Sequence, residues 1–264
     1  MNRVLKVFVL IGLLLVAGTF HAGAQKEWET LKGDNFIVYY RPSDVPEDFV
    51  RTVMDSAEEE FKNVTTNLGI TRYEGWRWDK RASIYIYRDE NDYVQNGGAG
   101  WSHGAVLVQT KMIKTYPSDS GFFDSLLPHE LGHIILHEYL GPYVDVPLWF
   151  DEGVAMYQEK AKRVGSNKIV QEALANGQFI PLSELTLMRL YNNSAQKTVE
   201  LFYAESASVV NFMISELGES HFYKLCHELK EHIPFVDALP KVYMHINDLD
   251  NLNKKWVNYL KDRS

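Results

Sequence analysis

Leu126-Leu127-Pro128-His129-Glu130-Leu131-Gly132-His133-Ile134-Ile135-Leu136 decides how this chain is read. Most of its side chains are aliphatic, and nothing after Pro128 breaks a helix, so a largely buried helix is predicted over 122–138. Pro128 fits the first turn, where a missing N–H costs little. Residues at i and i+4 share one helical face, so the imidazoles of His129 and His133 can reach one metal ion. Glu130 lies between them, close to the ion's open side, where a carboxylate can take a proton from water. Two histidines and a glutamate in so apolar a helix need partners, or they cost several kcal/mol. A bound zinc ion, one per chain, is the most economical partner.

A tetrahedral site with one open position needs a third protein ligand. His137 sits eight residues after His129, about 12 Å along the axis, too far to share the ion. The metzincin spacing also fails, because Leu136 stands at its Gly and Tyr139 at its third His. The better candidate follows the Gly141-Pro142 turn, in Pro147-Leu148-Trp149-Phe150-Asp151-Glu152-Gly153-Val154-Ala155. Two helices joined by that turn can pack antiparallel, which would bring Glu152 beside the histidines. Its apolar neighbours argue against a simply solvated charge.

Working outward toward the N-terminus, Glu29 to Tyr40 reads as a hairpin around Gly33-Asp34. Pro46 opens a helix running to about Leu68, with Phe49, Val53, Ala57, Phe61 and Val64 at helical spacing. Ala82 to Tyr87 and Gly104 to Gln109 read as strands. Toward the C-terminus, helices are predicted over 148–162, 168–176, 199–217, 219–231 and 248–262. Strands first and helices second predict an α+β fold, a mixed sheet followed by a helical C-terminal lobe with a cleft between them.

The first 24 residues stand apart. Arg3 and Lys6 precede an apolar run from Val7 to Phe20, and Ala22-Gly23-Ala24 offers small residues to a signal peptidase. The run is shorter than the ~20 residues of a membrane-spanning helix. Residues 1–24 are therefore expected to be a signal peptide, and 25–264 the mature domain, with no membrane span left after cleavage. The chain carries 27 Lys+Arg against 35 Asp+Glu, and the leader holds two of the basic residues and no acidic one. So acidic a chain, without a long basic run, argues against nucleic acid and against an anionic membrane surface as partner. Cys226 is the only cysteine, which excludes an internal disulfide. Its helical apolar neighbours Phe222, Leu225 and Leu229 make it a buried structural residue.

On His129-Glu130-x-x-His133 and Trp149-Phe150-Asp151-Glu152-Gly153-Val154-Ala155, the sequence resembles the gluzincin metallopeptidases. It shares features with the M1 aminopeptidase family and is more similar to the small bacterial peptidase MA-like proteins. The resemblance covers about 28–262 and is most specific around 129–155. It implies a zincin-like fold, with His129, His133 and Glu152 as zinc ligands and Glu130 as general base and proton carrier. It also implies an oxyanion-stabilising residue on a later helix, for which Tyr203 is the candidate. Asp151 or Glu159 could orient a ligand histidine. The aminopeptidases carry a glutamate on the strand before the zinc helix that grips the substrate's α-amine. In the matching stretch, Gly104-Ala105-Val106-Leu107-Val108, Leu107 stands in its place and cannot bind an ammonium.

The expectation is an exported, bacterial periplasmic or extracellular zinc peptidase acting on peptides or proteins, as an endopeptidase rather than an aminopeptidase. The alternative is an inactive, zinc-stabilised peptide-binding or scaffold protein. Against that alternative, Glu130 is no ligand and would be free to vary in a purely structural site. A sugar-binding module would rest only on six Trp and fifteen Tyr, which a core explains.

Overall fold

Alternation of buried and open positions sets the sheet. The computed structural model describes residues 27–70, 76, 78–97, 104–107, 110–117, 121–141, 143–190 and 194–263. The expected signal peptide lies outside them, as do positions 108 and 109 of the expected strand. The strands are β1 (Glu29–Lys32), β2 (Phe36–Tyr40), β3 (Ala82–Ile86), β4 (Gly104–Leu107) and β5 (Met112–Thr115). Their order in the sheet is β1-β2-β3-β5-β4. β1 and β4 are antiparallel to their neighbours, and the three central strands run parallel, so the sheet is mixed as expected. Phe36 and Val38 of β2, Ile84 and Ile86 of β3, and Ile113 of β5 are fully buried on one face.

That face is covered by α1 (Glu47–Asn67), which begins just after Pro46 as predicted. Val50, Val53, Met54, Ala57, Phe61 and Val64 form its buried stripe. α1 also packs against α3 (Leu127–Leu140), so it couples the sheet to the helices that follow. A short helix, α2 (Glu90–Gln95), lies between β3 and β4.

The helical part comprises α3, α4 (Leu148–Gln158), α5 (Lys160–Ala175), α6 (Leu182–Leu187), α7 (Gln196–Ser215), α8 (Glu219–Lys230), α9 (Phe235–Val242) and α10 (Leu249–Lys261). The fold is thus α+β, strands first and helices second. One cluster of buried side chains runs through both parts, from Phe36 of the sheet to Leu260 of α10. No helix among the described residues is long and apolar enough to cross a membrane.

Several elements depart from the sequence reading, α2 among them. The single helix expected over 148–162 is two, because Glu159 leaves helical geometry (φ −76°, ψ 105°) and the chain turns there into α5. β5 was not anticipated; it has only four residues, two of them turned outward. α6 and α9 start after Pro181 and Pro234, in stretches where proline reads as a breaker although it tolerates the edge of a helix.

Two glycines set the helix spacing. A Cβ on Gly132 of α3 would come within 2.8 Å of the Ala155 Cα in α4. A Cβ on Gly153 of α4 would come within 2.4 Å of the Ser206 carbonyl oxygen in α7. α4 is therefore clamped between α3 and α7 at a distance only glycine allows.

Candidate metal centre

The clamp determines which way α4 faces. Trp149 and Phe150 are fully buried. Trp149 donates its indole N–H to the Thr186 hydroxyl, and Phe150 packs on Phe222 and Phe235. With that side anchored, Asp151 and Glu152 turn toward α3. One ligand atom from each of His129, His133 and Glu152 then falls within 4.8 Å of the other two. The Glu152 carboxylate oxygen Oε2 stands 3.8 Å from His129 Nε2 and 3.7 Å from His133 Nε2. These are too long for hydrogen bonds. They lie close to the ~3.3 Å edge expected between ligands that each sit ~2.0–2.1 Å from one tetrahedral ion.

The other ring nitrogens are fixed separately. His133 Nδ1 meets Asp151 Oδ1 at 2.8 Å, and His129 Nδ1 meets Glu159 Oε1 at 3.0 Å. An ionised carboxylate can only accept, so each Nδ1 carries a hydrogen, and each Nε2 is the ring atom left facing Glu152 for a metal ion. Asp151 also accepts from His137 Nε2 at 3.0 Å, and Glu159 accepts from the Ser125 hydroxyl. Burial opposes charge on both carboxylates, but the bonds from His133 and His137 hold Asp151 well below the usual carboxylate range. The bonds from His129 and Ser125 lower Glu159 in the same way.

The demand of this cluster for positive charge shows in His133. Burial works against its charge, yet the hydrogen bond to Asp151 and the negative charge of the nearby Glu152 raise its pKa to about 10. A divalent ion held by two imidazole nitrogens and one carboxylate oxygen would answer that demand, and the donor set, spacing and tautomers fit zinc.

Glu130 lies beside the ligands without being one of them. Burial raises its carboxyl, partly offset by His129 and His133 and reinforced by Glu152 and Glu159. Tyr203 reaches the same place from α7. It lines a cavity together with His129. Its phenol is raised first by burial and then by the negative charges of Glu152 and Glu130.

The structure thus brings together all five residues singled out from sequence. Asp151 and Glu159 do not compete for one role, since each holds a different histidine. His137, discounted as a ligand, sits one turn beyond His133 and steadies Asp151. That contact was missed, although the i, i+4 spacing to His133 carried a signal for it. Ser125 was missed as well, with no pattern to betray it. Burial pushes the Cys226 thiol up to about 12, in keeping with a structural residue.

The family model described as the Peptidase MA superfamily matches residues 67–262, which include every residue of this cluster. Comparison with curated proteins finds no match.

Proposed function

The chain belongs to the Peptidase MA superfamily, and from that premise we propose that it is an exported zinc-dependent endopeptidase. The observation that supports this best is the convergence of His129, His133 and Glu152, with the second nitrogen of each histidine tied to its own carboxylate.

The chemistry a zinc ion supplies in such a centre is Lewis acidity toward a carbonyl and acidification of water. His129, His133 and Glu152 would hold it, with Glu159 and Asp151 fixing the two rings. Glu130 is the general base. Its carboxylate takes a proton from the attacking water and returns it to the leaving amine. Burial raises its proton affinity, which suits a group that must both take and give a proton near neutrality. Tyr203 donates its hydroxyl hydrogen to the oxyanion of the tetrahedral intermediate. With its pKa raised, that phenol stays protonated at neutral pH.

An extended peptide would pair with the outer edge of β4, the antiparallel edge strand. Leu107 on that strand is 52% exposed and offers no charge to a substrate's α-amine, which favours internal cleavage over aminopeptidase activity. Export rests on the basic start, apolar run and small residues of positions 1–24.

The test compares the protein with its Glu130→Gln variant for bound zinc and for cleavage of a broad peptide library. About one zinc per chain in both and cleavage only by the wild type is the expected result. Zinc in both with cleavage by neither would favour a binding relative. A wild-type protein without affinity for zinc would remove the basis of the proposal. N-terminal sequencing of the secreted product tests the export signal.

A further inference from the structure

A cavity of about 570 Å³ opens beside His129 and Tyr203, between α4, α5 and α7. Its size is in the range of ~300–1,000 Å³ typical of sites that enclose small organic groups. Its wall is built from Met156, Ile169, Val199 and Ala204. Ile169, 49% exposed, extends this apolar surface to the mouth of the cavity.

The polar groups that reach the cavity are mostly occupied elsewhere. Glu159 accepts from His129 and Ser125. Ser166 donates its hydroxyl to the Lys162 carbonyl at 2.6 Å. Lys162 brings one positive charge against the two carboxylates of Glu159 and Glu200, and most of the remaining lining is apolar. An acidic side chain entering would lose its hydration and face the carboxylates of Glu159 and Glu200. An apolar one would displace water from apolar surface on both sides.

We infer that this cavity is a specificity pocket that receives a large apolar side chain, such as Leu, Phe or Met, from a substrate residue next to the scissile bond. The inference rests on the peptidase reading for the word substrate, because His129 and Tyr203 belong to both the cavity and the proposed catalytic centre. Ile169 and Ala204 are its specificity-determining residues. Neither takes part in metal binding or proton transfer.

The test has two parts. First, methyl-labelled methionine is followed by NMR in the full-length Glu130→Gln protein while N-acetyl amides of phenylalanine, leucine and aspartate are added. The Met156 resonance is expected to move with the first two and not with the third. Ala204→Phe fills the cavity and should abolish the shift. Ile169→Glu, at a half-exposed position that does not threaten folding, should weaken the phenylalanine amide roughly tenfold. Second, the wild type is profiled on a peptide library, where large apolar residues at one position flanking the cut should be favoured over Ala by roughly tenfold or more. A motionless Met156 resonance, or an equal response to the aspartate amide, overturns the inference even if peptides are cut. Binding of the apolar amides without cleavage of any peptide upholds the pocket and counts against the peptidase reading instead.

Discussion

Adding a single methyl group at Gly153 tests the packing that presents Glu152. The Cβ of Gly153→Ala would lie 2.4 Å from the Ser206 carbonyl oxygen and 2.6 Å from Val210 Cγ2. Close carbon–oxygen contacts settle near 3.3 Å, so α4 and α7 must separate by about 1 Å. The obstacle is backbone and cannot rotate away. Overpacking of this kind costs up to about 3 kcal/mol. Alanine returns about 1 kcal/mol through its higher helix propensity, which leaves a net loss of about 2 kcal/mol. For a chain of this size that corresponds to a fall in Tm of about 4–8 °C. The control is Gly165→Ala in α5, where the added methyl meets nothing within 4 Å. It should stabilise by about 1 kcal/mol. Thermal unfolding of both variants by circular dichroism reads the contrast. If Gly153→Ala is neutral, or stabilises like Gly165→Ala, the clamp on α4 is not what holds the helices apart. Zinc affinity should fall in Gly153→Ala as well, because Glu152 moves with the helix.

Other consequences can be checked in the same preparations. Asp151→Ala leaves His133 Nδ1 and His137 Nε2 without their acceptor and should weaken zinc binding ~10–100-fold by chelator competition, and Glu159→Gln should act in the same direction through His129. Glu205 is fully buried on α7, and burial raises its carboxyl to about 8, partly offset by the Ile180 backbone N–H it accepts. The folded state therefore holds a proton there that the unfolded chain releases near pH 4–5, so stability should fall as pH rises from about 5 to 8. Glu205→Gln should remove that slope and be the more stable form at pH 8 by a few kcal/mol, measured by urea titration at several pH values. Chelation should abolish activity and lower Tm while leaving the far-ultraviolet spectrum intact, since the core linking sheet and helices contains no metal ligand; wholesale unfolding would contradict this.

Much of the centre was legible because its information is local. The 3.6-residue period puts His129 and His133 on one face whatever the rest of the chain does, and the apolar residues around Glu152 marked α4 as a packed helix. The α+β class followed from the order of strand and helix patterns. What could not be read depends on how the chain reverses. Glu159 holds His129 only because α4 stops there, and that stop has no Gly or Pro to announce it. Likewise, the division of labour between Asp151 and Glu159 depends on the rotation of α4, which Trp149 and Phe150 settle through contacts with residues more than thirty positions away. β5 is too short for alternation to stand out, and the sheet order is fixed only by pairing across the fold.

The clamping of α4 between α3 and α7 also bears on the life of the polypeptide before it is folded. The groups that would handle the proton, the ion and the oxyanion arrive on three helices, α3, α4 and α7, the last synthesised well after the first. A nascent chain that has released α3 but not yet α7 has histidines without the wall that aligns them. The complete centre would form at the close of folding rather than during synthesis.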